Sequence, residues 1–184
     1  YRWGPVAGKP QVPGLVDSEG CLWPSVPEVA THASADEVER EIRAQLDRAE
    51  HLGIPITHLD SHMGTLFARP DYYARFAKVG IEKGIPILAV APTGTHLSAE
   101  ERAVAGPLGE WADKIWKAGL PILDDLYTDF TSTKGDKVER LIALLEELKP
   151  GVTEVLFHAS DPTDEFPVVT ASSGARKADL DALR

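Results

Sequence analysis

The chain has 184 residues, of which 43% are hydrophobic and 26% charged, values ordinary for one globular domain with a sizeable core. Its formal charge of -10, with no Lys/Arg cluster, excludes a phosphate-binding surface and so a nucleic-acid partner. No apolar run approaches the ~18 residues needed to cross a bilayer, and a single cysteine, Cys21, excludes an internal disulfide or a Cys-based zinc cluster, leaving His and carboxylates as the donors for any metal.

The chain opens without Met on an aromatic, Gly/Pro-rich segment and stops inside an expected helix, 177–184, so it reads as a piece of a longer chain. Residues 1 to 31 hold Pro5, Pro10, Pro13, Pro24 and Pro27, which predict an ordered loop without regular helix, carrying Trp3 and Trp23. Ser34 and Glu37 stand at capping-box spacing ahead of Val38, Ile42, Leu46 and Ala49 on one helical face, and Gly53 ends that helix. A short buried strand, 54–60, follows. The unit recurs as a helix from Pro70 to Gly84 and a strand over 85–90. After a loop over 91–96, helices are expected over 98–105 and 107–118, the second with Trp111, Ile115 and Trp116 on its apolar side. Gly119 then leads into a strand over 120–124. A helix over 134–148 is expected to turn Val138, Leu141, Ile142, Leu145 and Leu148 inward, and a last strand runs over 153–158.

Strands alternating with amphipathic helices indicate a parallel α/β sheet. A barrel or an open doubly wound sheet both accommodate the pattern; a strand spacing of about thirty residues and the absence of a glycine-rich phosphate loop favour a piece of a (β/α) barrel, treated as one domain over 1–184. In such a fold the loops beyond the C-terminal strand ends carry function. His62 leaves the first strand, Thr93 and His96 the second, Asp124 and Asp125 the third, and His158, Ser160 and Asp161 the fourth. The densest of these is Thr57-His58-Leu59-Asp60-Ser61-His62. Alternation along an extended chain puts His58, Asp60 and His62 on one face, a donor set suited to a divalent ion, although a helix cap would use similar residues. His96 reads first as the residue before a helix cap, Asp124-Asp125 equally as an acidic turn or a substrate-facing pair, and His32 and His51 as surface residues.

Leu15-Val-Asp-Ser-Glu-Gly20, the stretch Glu41 to Leu46 leading to Gly53-Ile-Pro-Ile-Thr-His-Leu-Asp-Ser-His62, the block Thr153-Glu-Val-Leu-Phe-His158, and Arg176-Lys-Ala-Asp-Leu180 follow one another in an order and spacing that resembles the YdjC-like (ChbG-type) carbohydrate deacetylases. The resemblance implies a deformed TIM-type barrel and a divalent metal, magnesium or zinc, held by one Asp and two His. The two histidines correspond to His62 and His158. The metal-binding Asp and the neighbouring Asp that acts as base belong to an N-terminal strand of the family that these residues do not include, so the chain is expected to be an incomplete barrel. Asp60 and His58 are expected to support the ligands, and Asp124, Asp125 and Arg176 to contact substrate. Two departures stand out: His62 is followed by Met63-Gly64 where many relatives have a second His, and His158-Ala159-Ser160 replaces His-Pro-Gly.

The expected activity is removal of acetyl groups from N-acetylated sugars, with a small carbohydrate as partner. Two alternatives stay open on the residues alone: a non-catalytic sugar-binding barrel using Trp3, Trp23, Trp111 and Trp116, and another barrel hydrolase using Asp124 and Asp125 as paired carboxylates. Oligomeric state and compartment are not legible.

Overall fold

A computed structural model describes residues 2–96, 109–128 and 136–184. By its contacts the chain divides into two compact units, Tyr1–Pro92 with Glu100–Ile122, and Thr93–Ala99 with Leu123–Arg184. The expected helix over 98–105 and the first residues of those expected over 107–118 and 134–148 lie outside the described residues. Among the described residues no helix is long and apolar enough to cross a membrane.

In the first unit, the proline-rich opening is tied down by side chains of the helix that follows it. α1, Val26–His32, was not expected in this region; it forms because Ser25 caps it and Pro27 lies in its first turn, where a missing N–H costs no hydrogen bond. α2, Ala35–His51, begins with the expected capping box, in which Ser34 Oγ accepts from the Glu37 amide and the Glu37 carboxylate accepts from the Ser34 amide. The same Glu37 accepts the Gly14 amide at 2.6 Å, and Glu41, one turn on, accepts the amides of Val6 and Ala7 at 2.9 Å each. α3, Pro70–Lys83, ends at Gly84, whose φ of 66° a side chain would strain. One turn earlier, Gly80 lets the helix approach so closely that an added Cβ would collide with Ile87. α2 and α3 pack side by side, with Arg43, Arg75 and Lys78 all reaching the Glu39 carboxylate.

Tyr73, Phe76 and Ala77 of α3 bury against Ile87, Ala89, Ile115 and Leu120, while Val12, Leu15, Val29, Ala33, Val38 and Tyr72 form a second apolar cluster. Each fully buried large apolar side chain contributes roughly 1.5–3 kcal/mol of transfer free energy. The helix described over 109–117 (α4) buries Ala112 and Ile115, but Trp116, expected inward, is 65% exposed. Trp111 sits one turn before Ile115 and packs at the edge of the core with Lys114 over its ring.

The expected strands over 54–60 and 85–90 pair with each other by a parallel bridge, Leu59 to Ile87, and not by a ladder, through Leu59 N–H to Pro86 O at 2.8 Å and Leu88 N–H to Leu59 O at 3.0 Å. Pro55 and Pro86 lack the N–H that a longer ladder would need.

In the second unit, β1, Asp125–Tyr127, and β2, Thr153–Val155, form a two-stranded parallel sheet with Asp125 opposite Thr153 and Tyr127 opposite Val155. The third strand therefore starts one residue after the expected span of 120–124 ends. Pairing with β2 begins at Asp124, whose N–H donates to Val152 O at 2.9 Å. α5, Lys137–Glu147, buries Leu144 and Lys137, whereas Val138, Ile142 and Leu145, expected inward, are about half exposed. α6, Phe166–Val169, is a single turn, and α7, Ser173–Ala182, packs on α5. The described architecture is thus α/β with a small parallel two-stranded sheet, consistent with an incomplete barrel.

Candidate active site

The Thr57–His62 motif ends at a sharp change of backbone direction. Ser61 is extended and buried; its carbonyl accepts the Gly64 amide at 2.9 Å and its hydroxyl accepts the Leu66 amide at 2.9 Å. These bonds fold His62–Phe67 into a tight 3-10-like turn that His62 opens and that kinks at Met63 and Gly64. Met63, next in the turn, has a φ of 56°, a left-handed conformation that non-glycine residues adopt seldom and at a cost of order 1 kcal/mol. Within this unit His58, Asp60, His62 and Met63 line one cavity of about 460 Å³, together with Trp23 and Glu41. Asp60 accepts the Ser61 amide at 2.6 Å, and His58 Nδ1 lies 2.9 Å from Thr57 Oγ1.

His158 follows β2 in the second unit, and the backbone around it is gripped from α7. The His158 N–H donates to Asp179 Oδ2 at 2.9 Å, and the Ser160 N–H donates to the Arg176 carbonyl at 3.3 Å. Asp179 is 1% exposed and its other oxygen is paired with the buried Lys137 ammonium. Arg176 donates from Nε to Ser172 Oγ at 3.1 Å.

Asp124 and Asp125 both serve backbone amides. The Asp124 carboxylate accepts the Val152 N–H at 2.7 Å. Asp125, buried, accepts from Thr95 N–H and Oγ1, from His96 N–H and, at 2.7 Å, from His96 Nδ1. Burial opposes its ionisation, but the hydrogen bonds from His96 and Thr95 outweigh burial and hold the carboxyl at about 2. The sequence pointed to His96 only as a residue ahead of a helix; the structure makes it the partner of Asp125, with its ring edge-on to Tyr127.

As metal donors, His62 and His158 fit. Both are exposed, and among the described residues neither ring makes a hydrogen bond, a condition that His51 on α2 shares, whereas the rings of His32, His58 and His96 are engaged. Imidazole nitrogens of this kind suit zinc and similar ions. Among the described residues no three His, Cys, Asp or Glu side chains stand close enough to share a cation, so His58, Asp60 and His62 line a cavity without forming a centre there. Sequence reasoning gave Glu37 only as a helix cap and gave Glu41, Lys137 and Asp179 no role of their own; Asp179 lies inside the Arg176–Leu180 block but carried no separate signal. Of the tryptophans, Trp23 donates to the Gly14 carbonyl and stacks on His32, while Trp3 is 68% exposed.

Comparison with known proteins gives one consistent picture. The model of a family described as YdjC-like protein matches residues 1–184. A carbohydrate deacetylase of Thermoanaerobacter pseudethanolicus (strain ATCC 33223 / 39E) is 28% identical over 183 residues, which is 96% of this chain and 65% of that protein. A carbohydrate deacetylase of Geobacillus stearothermophilus is 27% identical over 169 residues, covering 90% of this chain and 58% of that protein. The chain thus spans less than two thirds of the length of these relatives. A crystal structure from Enterococcus faecalis V583, of a protein assigned provisionally to cellobiose-phosphate cleavage, superposes with a TM-score of 0.77 at 17% identity, covering 98% of this chain and 64% of that one, and so shares its fold.

Proposed function

The chain belongs to the YdjC-like protein family, and from that premise we propose that it is part of a metal-dependent carbohydrate deacetylase, a hydrolase that frees acetate from N-acetylated sugars. The observation that carries this reading is the family match over every residue, joined by two relatives that both bear the name carbohydrate deacetylase. The proposed fold of the whole protein is a deformed TIM-type barrel of which these residues form the later strands and helices.

In this reading His62 and His158 each give one imidazole nitrogen to the metal, magnesium or zinc. A divalent ion held there would polarise the acetamide carbonyl and acidify an attacking water. The chain's own residues do the positioning. The buried Ser61 and the 3-10 turn fix where His62 stands, and His58 and Asp60, lining the same cavity, steer its ring or the sugar beside it. Arg176, with one of its five N–H donors on Ser172, has donors left for a sugar hydroxyl; Asp124 and Asp125 contact sugar only beyond the amides they hold. The carboxylate ligand and the base that takes a proton from water are assigned to a segment outside these residues, as the resemblance implies.

The test uses the full-length protein on N-acetylglucosamine oligomers. Acetate release that a chelator abolishes and added zinc or magnesium restores is expected, with His62→Ala and His158→Ala each lowering metal affinity by about tenfold or more. An intact, metal-loaded protein that leaves a broad panel of acetylated sugars untouched would overturn the proposal.

A further inference from the structure

Few charged side chains are buried among the described residues, and most of those have an evident role. Glu37 and Glu41 hold the opening loop, and Asp125 clamps Thr95 and His96. Lys137 and Asp179 are different. Asp179 is the most deeply buried of them at 1% exposure, and Lys137, the first residue of α5, is 6% exposed. Burying a charge is costly, and a pair in the interior often adds nothing to stability that two apolar residues of the same volume would not. What the pair provides here is an acceptor. Asp179 Oδ1 is tied to Lys137 Nζ, which also reaches the Ala175 carbonyl, and Oδ2 takes the backbone N–H of His158 at 2.9 Å. That bond fixes the peptide plane entering His158 and hence the direction of its Cα–Cβ bond. An ionised acceptor makes it stronger than a neutral one would. The lysine sets the orientation of the carboxylate, and α5 and α7 reach this one amide together.

We propose that Lys137 and Asp179 form a positioning pair for the His158 imidazole, so that the metal affinity of the site, and not only the stability of the unit, depends on them. The inference rests on His158 being a ligand.

It is tested in the full-length protein by zinc affinity, measured by competition with a chromophoric chelator, alongside the thermal midpoint. Asp179→Asn, which keeps an oxygen near the His158 N–H but loses the charge, is expected to weaken zinc binding about tenfold. The decisive variant is the double substitution Lys137→Met with Asp179→Leu, which removes both charges and fills their volume, and so recovers the thermal midpoint that Asp179→Asn loses. Zinc binding in this variant is expected to stay weakened about tenfold although the fold is restored. Wild-type affinity in the refolded double variant would overturn the positioning role while leaving His158 as ligand. His158→Ala separates the two: unchanged affinity in that variant would remove the ligand itself, and the inference with it.

Discussion

Asp125 shows how one carboxylate can organise a loop. Its oxygens accept from Thr95 N–H and Oγ1, His96 N–H and Nδ1, and the Leu126 amide, so residues 95 and 96 are held to the start of β1 by a single side chain. With a carboxylate on Nδ1, that nitrogen of His96 carries the proton and donates. The carboxyl is held at about 2, below its ordinary 3.8, so between these values the native state binds fewer protons than the unfolded one. Stability from this group is therefore complete above about pH 4 and lost as pH falls through about 2, an amount of roughly 2 kcal/mol, since each tenfold change in proton affinity is worth about 1.4 kcal/mol. The expected outcome is that the urea midpoint of the wild type falls with acid more steeply than that of Asp125→Asn. Parallel acid profiles for the two proteins would show that the clamp is not what makes the unit acid-sensitive.

At the scale of elements, α2 acts as a bracket for the chain that precedes it. Glu37 and Glu41 are spaced one turn apart, both buried, and between them accept the amides of Gly14, Val6 and Ala7. Replacing Glu41 by Ala leaves two N–H groups in a half-buried place without acceptors, each worth about 1–3 kcal/mol. Amide exchange at Val6 and Ala7 should accelerate while α2 stays protected; unchanged protection would mean that proline and tryptophan packing alone hold the loop. α2 and α3 were legible because their ends are written in local chemistry: Ser34 with Glu37 at one start, Pro70 at the other, Gly84 at a stop. α5 was legible as a helix but its buried face was not, because Val138, Leu141, Ile142, Leu144 and Leu145 spread apolar residues over most of its circumference, and periodicity cannot choose among faces when nearly all are apolar. The strands were placed in the right order, but the third was set too early and the others too long, since a strand is defined by a partner elsewhere in the chain and the prolines at 55, 86 and 121 remove donors from the first three expected ladders. Lys137 and Asp179 were invisible for a related reason: residues 42 apart in sequence and charged in type read as surface until packing buries them.

For the molecule as a whole, the distribution of donors decides what these 184 residues can do alone. The two imidazoles proposed as ligands come from different units, at the end of the Thr57–His62 motif and just after β2, and among the described residues no three His, Cys, Asp or Glu side chains stand close enough to share a cation. A zinc site needs three or four donors, and two imidazoles without a carboxylate hold the ion weakly and leave its charge uncompensated. The chain covers 65% and 58% of the two relatives, and the proposed function assigns the carboxylate ligand to the length it does not cover. Residues 1–184 expressed by themselves should therefore bind zinc at least about tenfold more weakly than the full-length protein, and should release no acetate from N-acetylglucosamine oligomers. Isothermal titration of both forms under the same buffer measures the difference. Equal affinities, with both bindings abolished by His62→Ala, would place the remaining donors inside these residues, and Asp60, which lines the cavity beside His62, would then become the first carboxylate to substitute.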